Sequence, residues 1–317
     1  MIAYLGVDVG SVSTNIVVVD DDNNVLINLY LRTNGRPIET IKTGLKEAAS
    51  MLDPEVRIAG AGTTGSGRYL AGVIIGADVI KNEITAHAVA ASILVPDVQT
   101  VLEIGGQDSK IIIMRNGVVT DFAMNTVCAA GTGSFLDQQA SRLNIQISDF
   151  GALALESNNQ IRIAGRCTVF AESDMIHKQQ MGHCIPDIVN GLCEALVRNY
   201  LNNVGKSKEI LTPVVFQGGV AANLGIKAAF ERELGIPITI PKYFNVMGAV
   251  GAAQLAKEEI QTTGETSFKG FAVTNMPYHT TSFECDGCSN ACEVVEIYQE
   301  NKVIGRWGNR CPKWDIV

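Results

Sequence analysis

The sequence predicts an α/β fold of two similar lobes, followed by a small cysteine-rich C-terminal module. The chain has 317 residues, 46% of them hydrophobic, which is enough apolar material for two packed cores. A series of short β-rich runs and helical patterns occurs in the first hundred residues and recurs after Pro96. From Gln261 to Gly270 the composition turns polar and rich in Gly, Thr and Ser, as in a linker.

The first lobe is expected over residues 1–96 and begins with a β-hairpin. Two β-rich runs are joined by the small polar turn Gly10–Thr14, and a helical pattern follows the third run. The predicted elements are strands at 4–9, 15–20 and 25–32, a helix at 37–52 and a strand at 57–60 before a glycine-rich loop. The order is therefore β, β, β, α, β.

The second lobe is expected over residues 97–260 and repeats this order. The predicted elements are strands at 100–103, 110–115 and 118–122, helices at 133–143, 171–180 and 185–203, a strand at 213–216 and a helix at 223–234. The last helix, at 245–259, is rich in Gly and Ala, so it can pack very closely as it returns to the first lobe. Two such copies suggest lobes that face one another across a cleft.

Charge and composition exclude several classes of partner. The net charge is -8 and no basic run occurs, so nucleic acid is not expected as a partner. No apolar run approaches the roughly 20 residues that span a bilayer, and the N-terminus lacks the basic flank of a secretory signal, so we expect a cytoplasmic protein with no membrane contact. Eight cysteines in that compartment favour metal or redox chemistry over disulfides.

Three glycine-rich turns are candidates for binding phosphate. They are Asp8–Thr14, Glu103–Asp108 and Gln217–Asn223. Such turns direct several backbone N–H groups at an anion, and a neighbouring carboxylate can hold Mg²⁺. No Gly-x-x-x-x-Gly-Lys-Ser/Thr motif occurs and no Gly-x-Gly-x-x-Gly follows a first strand, so the Walker and Rossmann types of site are excluded.

In order and spacing these turns resemble the ATP-binding signature of the superfamily of actin, sugar kinases and ATP-driven heat-shock chaperones. The resemblance covers residues 4 to about 257 and implies two RNase H-like, actin-like ATPase lobes around a nucleotide cleft that takes ATP or ADP with Mg²⁺. It implies that Asp8 and Glu103 flank the metal, although Glu103 stands where Asp is common. It makes Gln107 and Asp108 the candidates for orienting the attacking water. The residues implied to hold the nucleotide are Gly10, Ser11, Ser13, Thr14, Gly105 and Gly106 for phosphate, and Gly218, Gly219, Val220 and Asn223 for adenosine.

Cys128 and Cys167 each precede a predicted helix. A helix N-terminus favours a thiolate and offers N–H groups to it, so both positions suit redox ligands. A small buried apolar residue is the alternative for a single cysteine, but two in matching settings favour ligation. An iron–sulfur cluster held wholly by cysteine needs four thiolates, so two per chain predict a homodimer that shares one cluster.

The segments around these cysteines resemble one family, the ATP-dependent activators of 2-hydroxyacyl-CoA dehydratases, which are related to the ATPase subunits of benzoyl-CoA reductase. The motifs that carry the resemblance are Cys128–Asp137, Arg166–Ser173, Gly105–Lys110, Asn82–Ala88 and Phe216–Ala221. It implies one [4Fe-4S] cluster bridging two chains through Cys128 and Cys167 of each. It also implies ATP-driven delivery of a low-potential electron to a partner iron–sulfur enzyme that acts on an acyl-CoA, with ferredoxin or flavodoxin as donor. Such a shared cluster is expected to be oxygen-sensitive and to belong to anaerobic metabolism.

The tail, residues 261–317, carries a second group of cysteines. Cys285, Cys288, Cys292 and Cys311 have a spacing typical of a metal site. A structural zinc and a second Fe–S cluster both fit four thiols, and the context of the whole chain favours iron–sulfur. Short activators of the family end near residue 260, while longer relatives carry a tail like this one.

The remaining candidates are assigned structural roles or left open. Cys184 and Cys193 are expected to be buried core residues. Neither His87 nor His177 is given a catalytic role, because a helical histidine is most often a hydrogen-bonded structural residue. For Glu83 a nucleotide-facing carboxylate and an ordinary surface carboxylate remain equal alternatives.

Two rival functions remain open on sequence alone. One is a small-molecule kinase of the same superfamily, of the sugar or acetate type, in which the cysteines are incidental. The other is a non-enzymatic ATP-dependent switch whose tail is a zinc-held docking module. Cys128 and Cys167 argue against the kinase, because phosphoryl transfer to a small molecule needs no pair of thiols at a dimer interface.

Overall fold

Two five-stranded mixed sheets with flanking helices form the framework of the protein in a computed structural model, which describes residues 1–125 and 127–314. In chain order the strands are β1 Ile2–Val9, β2 Ser13–Asp20, β3 Val25–Arg32, β4 Arg57–Thr64, β5 Val79–Ile80, β6 Thr100–Ile104, β7 Ser109–Arg115, β8 Val118–Asn125, β9 Val214–Gln217, β10 Ile238–Thr239, β11 Tyr278–Glu284, β12 Glu293–Gln299 and β13 Lys302–Trp307. The helices are α1 Pro37–Met51, α2 Arg68–Ile75, α3 Glu83–Leu94, α4 Gly133–Leu143, α5 Ile147–Leu155, α6 Thr168–Gln180, α7 Ile185–Tyr200, α8 Leu224–Leu234 and α9 Met247–Thr263.

The described residues divide into two compact units. One contains residues 1–86 together with the described residues from 248 onward, and the other contains His87–Met247. Each unit has its own hydrophobic core around one of the five-stranded sheets.

The sheet of the first unit has the strand order β3-β2-β1-β4-β5. Strand β2 pairs antiparallel with β1 and β3, while β4 pairs parallel with β1 and β5. Strands β1 and β2 are buried almost throughout because both are central strands covered on both faces. Helix α1 begins with Pro37 in its first turn, and it buries Ile41, Leu45 and Ala48 on one face.

Helix α9 packs closely on this sheet through its small residues. A Cβ atom on Gly6 of β1 would overlap the carbonyl of Ala249, and one on Gly62 of β4 would overlap the carbonyl of Ala252. The helix backbone therefore lies directly against the two strands. The close packing predicted for this Gly- and Ala-rich segment is confirmed.

The sheet of the second unit repeats the topology of the first. Its order is β8-β7-β6-β9-β10, with β7 antiparallel to β6 and β8, and with β9 parallel to β6 and β10. Its core includes the edge-to-face aromatic contacts of Phe230 with Tyr200 and Phe216, each with ring centroids 5.3 Å apart. The predicted α/β fold of two like lobes is thereby confirmed.

Helix α7 ends earlier than the periodicity predicts. The apolar pattern predicts a helix to residue 203, whereas the α-helix ends at Tyr200 and continues as a wider π-helical turn, Leu201–Gly205. Such a turn re-aims the last side chains of a helix, a geometry that is common at functional positions.

The tail forms a third, antiparallel sheet of β11, β12 and β13, which groups with the first unit. Ile297 of β12 lies in that unit's core, and Gly305 of β13 lies against Val73 of α2. The sequence predicts a small cysteine-rich module here, and the structure shows a three-stranded sheet at this place. No helix in the described ranges is long and apolar enough to cross a membrane.

Candidate functional site

The first glycine turn connects β1 to β2 and is fixed from two sides. Within it, the Gly10 N–H donates to the Ser13 carbonyl at 2.8 Å. From the end of β3, the Thr33 hydroxyl donates to the Gly10 carbonyl at 3.0 Å, and its N–H donates to the Val12 carbonyl at 2.9 Å. The predicted phosphate turn is therefore a preorganised hairpin loop.

Asp8, near the end of β1, lies beside this turn in a space that only glycine neighbours allow. A Cβ atom on Gly65, whose φ is +88°, would overlap its Oδ1, and one on Gly248 at the start of α9 would overlap its Oδ2. The carboxylate is thus held at the strand end by two close backbone approaches. Such a fixed carboxylate next to a backbone turn is a suitable Mg²⁺ ligand.

The second glycine turn, between β6 and β7, contains a buried charge cluster. Lys110 is 1% exposed, and its Nζ lies 3.0 Å from Glu103 Oε2 and 2.9 Å from Asp108 Oδ2. The Gly105 N–H donates to the Asp108 carbonyl at 3.0 Å, which closes the turn. Two carboxylates and one ammonium form a charge-assisted network at the second glycine turn.

Lys110 was not among the residues predicted to form the site, although it lies in the Gly105–Lys110 motif. A lysine that begins an otherwise apolar buried strand, before Ile111, Ile112 and Ile113, is the signal that identifies it. The two candidates for orienting water differ in setting: Asp108 is engaged with Lys110, whereas Gln107 is exposed.

The third glycine turn lies directly against the second. Gly218 has a φ of +88°, its N–H donates to the Phe244 carbonyl at 2.8 Å, and a Cβ there would lie 2.6 Å from Glu103 Oε1. Gly219 and Val220 form a short 3-10 turn that leads into α8. Asn223 is the N-cap of α8, with its Oδ1 accepting from the Ile226 N–H at 3.1 Å.

Three buried polar atoms around the second and third turns have no hydrogen-bond partner within the described residues. They are Ser109 Oγ, Gln217 Oε1 and Asn223 Nδ2. A buried polar atom without a partner is costly, so a cluster of three is typical of a site that a polar ligand completes.

His87 is a neutral, structural neighbour of this cluster. Its Nδ1 lies 2.8 Å from Gln217 Nε2, which donates to it. Burial lowers the pKa of His87 to about 3, with the charge of Lys110 acting in the same direction. His87 therefore carries no charge at neutral pH and fixes the orientation of Gln217.

Cys128 and Cys167 both cap helical turns. Cys128 precedes the 3-10 turn Ala129–Gly131, and Cys167 precedes α6. The side chain of Asn125 clamps the first loop, accepting from the Cys128 N–H at 3.0 Å and donating to its carbonyl at 2.9 Å. Both thiols are partly exposed, as a ligand shared with a second chain requires.

The Cys128 loop is joined to the second glycine turn through the start of α4. The N–H groups of Gly133 and Ser134 donate to the carbonyls of Gly105 and Gly106, each at 2.9 Å. The hydroxyl of Ser134 donates to the Gly106 carbonyl as well, at 2.5 Å. The helix that follows Cys128 thus begins on the second glycine turn itself.

Large apolar side chains are exposed next to both cysteines. Val127 is 95% exposed, and Val169 and Phe170 in the first turn of α6 are each 66% exposed. Phe122 and Met124, on one face of β8, are also exposed. Contiguous exposed apolar surface is typical of interaction sites.

The two cysteines of α7 differ from each other. Cys193 is buried, and burial raises its pKa to about 12, so it is an inert core residue as predicted. The same prediction for Cys184 is wrong: it is exposed. As the N-cap of α7, Cys184 precedes the helical periodicity that directs the apolar face inward.

Antiparallel topology places the tail cysteines at one end of the small sheet. Cys285, Cys288 and Cys292 lie in the turn between β11 and β12, and Cys311 follows the end of β13. The Trp314 indole N–H, at 3.3 Å, and the Gly287 N–H, at 3.4 Å, donate to Cys285 Sγ and lower the pKa of this thiol.

No group of three or more His, Cys, Asp or Glu side chains among residues 1–125 and 127–314 is arranged to hold a metal ion within one chain. A cluster that takes two ligands from each of two chains would not form such a group. For the tail to bind a metal, the cysteines of the Cys285–Cys292 turn and Cys311 would have to move closer to one another.

Comparison with known proteins identifies the family. The model of the BadF/BadG/BcrA/BcrD ATPase family matches residues 5–256. The chain belongs to this family. The matched region includes the three glycine turns, Cys128 and Cys167, and it ends before the tail.

The most informative relatives are activators of acyl-CoA enzymes. The chain is 38% identical to the (R)-2-hydroxyglutaryl-CoA dehydratase activating ATPase of Acidaminococcus fermentans, over 80% of this chain and 96% of that one. It is 29% identical to one of the subunits of the benzoyl-CoA reductase of Thauera aromatica, over 53% and 62%. The activator of the 2-hydroxyisocaproyl-CoA dehydratase from Clostridium difficile, solved with bound ADPNP, superposes with a TM-score of 0.74 at 30% identity, over 83% of this chain and 97% of that chain.

Proposed function

We propose that the protein is an ATP-hydrolysing electron-transfer activator. It delivers a low-potential electron to a partner enzyme, a 2-hydroxyacyl-CoA dehydratase or an enzyme like benzoyl-CoA reductase. The observation that carries the proposal is the start of α4, which bonds to the carbonyls of Gly105 and Gly106 shortly after Cys128. The proposed class of partner is supported by the relatives, of which one is an activator of a dehydratase and another is a subunit of a reductase.

ATP or ADP with Mg²⁺ is the proposed nucleotide. The turns at Gly10–Thr14 and at Gly105–Gly106 would supply N–H groups to phosphate oxygens, and Asp8 and Glu103 would hold the metal through water. The metal would neutralise charge on the transferred phosphoryl group. The unpartnered atoms of Gln217 and Asn223 support adenosine binding at the third turn.

Gln107 is the residue proposed to orient the attacking water. Unlike Asp108, which forms an ion pair with Lys110, it is exposed and lies at the tip of the second turn. An amide side chain can orient water by accepting and donating hydrogen bonds at once.

Cys128 and Cys167 are proposed to hold one [4Fe-4S] cluster between two copies of the chain. The group would supply a one-electron carrier of low potential. The fit rests on two partly exposed thiols, each at the start of a helical turn, and on the exposed apolar side chains around them, such as Val127 and Phe170. A homodimer would bury this apolar surface, and a reduced ferredoxin or flavodoxin is the proposed electron donor.

The four tail cysteines are proposed to bind a second metal centre, zinc or iron–sulfur. Support comes from the topology, which brings Cys285, Cys288, Cys292 and Cys311 to one end of the sheet. The N–H donors to Cys285 Sγ support it as well, because such donors stabilise a thiolate ligand.

The test is an anaerobic single-turnover assay. Dithionite-reduced protein is freed of reductant and mixed with a low-potential viologen, with and without MgATP. Wild-type protein should reduce the viologen faster with ATP, Cys128→Ser should give no ATP-dependent reduction, and Asp8→Asn should keep the cluster absorbance but lose the ATP effect. ATP hydrolysis by the wild type with no electron transfer would contradict the proposal and favour a kinase or a switch.

A further inference from the structure

Helix α7 ends in two adjacent side chains that contact three functional segments of the second unit. Asn199 is 4% exposed and Tyr200 is fully buried. The Asn199 amide nitrogen donates to the Gly165 carbonyl at 2.6 Å, two residues before Cys167, and lies 3.9 Å from Cys128 Sγ. One amide group therefore contacts both cysteine loops.

The orientation of the Asn199 amide is fixed by its other end. Its Oδ1 accepts from Asn203 Nδ2 at 2.8 Å, from within the π-helical turn that follows the helix. Gly131 lies so close that a Cβ there would be 2.7 Å from the same oxygen. The amide has little freedom to rotate, because its nitrogen is bonded to the Gly165 carbonyl and its oxygen is bonded to Asn203 and packed against Gly131.

Tyr200 extends the contact to the phosphate turn. Its hydroxyl donates to the Lys110 carbonyl at 2.6 Å, and its ring packs edge-on against Phe230. The side chain of the same Lys110 pairs with Glu103 and Asp108. A change in the pairing of Lys110 when phosphate arrives would act on the residue next to Asn199.

We propose that Asn199 and Tyr200 are a positioning pair: Asn199 sets the placement of the Cys128 loop relative to the Cys167 loop, and Tyr200 couples that placement to the nucleotide turn. The inference rests on the proposed function, which it deepens. Two ligands from separate loops need such support, because a shared cluster tolerates little error in ligand placement. A nucleotide that shifts the Lys110 segment would then act on the placement of the thiols through Tyr200 and Asn199.

The first test needs no cluster. Hydrogen exchange of peptides covering residues 127–133 and 163–168 is compared in Asn199→Ala and Asn202→Ala apoprotein. Asn202 is the matched control, since it is the same residue type three positions further and exposed, bonding to the Arg198 carbonyl. Asn199→Ala should speed exchange about five-fold or more in both segments, the factor that one hydrogen bond is worth, and Asn202→Ala should leave it unchanged.

The second test uses the cluster. After anaerobic reconstitution, Asn199→Ala should lose iron and sulfide to a chelator several-fold faster than Asn202→Ala, and its reduction potential should be more negative because a donor near Cys128 is gone. If Asn199→Ala does not fold, Asn199→Asp and Asn203→Ala test the same contacts. Wild-type exchange, chelator resistance and potential in all variants that fold would overturn the role of Asn199.

The third test addresses the coupling. With MgADPNP, residues 127–133 of the wild type should exchange more slowly, and Tyr200→Phe, which keeps the ring, should lose most of this response. Tyr30→Phe, on the exposed side of β3, should keep it. An equal response in both variants, or none in the wild type, would overturn the role of Tyr200. Failure of the wild type to take up iron would instead contradict the proposed function, while the apoprotein test of Asn199 would still stand.

Discussion

The buried histidine beside Gln217 predicts a specific pH dependence of stability. His87 is buried and its pKa is lowered to about 3, whereas an unfolded histidine titrates near 6.5. As pH falls below about 6.5, the histidine binds a proton in the unfolded chain but not in the folded chain, so the free energy of unfolding decreases. At pH 5, which lies about 1.5 pH units below the pKa of the unfolded histidine, the free energy of unfolding is lower by about 2 kcal/mol.

His87→Asn is the perturbation that isolates this effect. The Asn Oδ1 can occupy the place of His87 Nδ1 and still accept from Gln217 Nε2, but it does not titrate. Urea unfolding of wild type and variant is measured at pH 7.5 and pH 5. Circular dichroism is the appropriate signal, because both tryptophans lie in the tail and not in the second unit.

The wild type should lose about 2 kcal/mol more stability than His87→Asn on going from pH 7.5 to pH 5. His177→Asn, on the exposed side of α6, should behave like the wild type. The same pH dependence in wild type and His87→Asn would refute the reasoning, because it would mean that His87 is protonated in the folded chain.

Three further predictions concern the glycine turns and the tail. Lys110→Met removes the buried ammonium that pairs with two carboxylates, and it should lower the free energy of chemical unfolding by about 3–5 kcal/mol. Lys208→Met, at a surface ion pair, should lower it by less than about 1 kcal/mol. Equal losses in the two variants would contradict the buried network. Gly248→Ala inserts a methyl group against the Asp8 carboxylate and should abolish MgADPNP binding measured by calorimetry. Thr262→Ala, on the same helix, should bind MgADPNP as the wild type does. Tight binding by Gly248→Ala would exclude Asp8 from the site. Replacing the four tail cysteines by serine should remove the metal of one centre per chain, measured by elemental analysis, while the Cys128 cluster remains. An unchanged metal content would show that the tail binds no metal.

Local signals in the sequence were sufficient for the longer strands of the two five-stranded sheets and for the turns between them, whereas the two-residue strands β5 and β10 and the tail strands were not predicted. Apolar runs bounded by glycine predict β6 and β7, and the carboxylates and glycines between them predict the turn. The duplicated order of elements predicts two like sheets, because a strand order that recurs along the chain folds to the same topology.

The sequence did not predict features that depend on contacts distant along the chain. Helix α2 was not predicted, since its eight residues are almost all apolar and follow glycines that favour a loop. The Lys110 charge cluster and the Asn199 contacts pair residues whose relation only the fold reveals; Asn199 and Gly165, for example, are 34 positions apart. Cys184 was misassigned because helical periodicity gives no information on an N-cap residue.

Two cysteines of each chain, Cys128 and Cys167, are proposed to bind one cluster shared by a dimer. Iron and acid-labile sulfide per chain should therefore be measured on anaerobically purified wild type and Cys128→Ser, with the mass of each in solution. Loss of the shared cluster should remove about two irons and two sulfides per chain, whatever metal the tail holds. Equal iron and sulfide in the two proteins, or none in the wild type, would contradict the account.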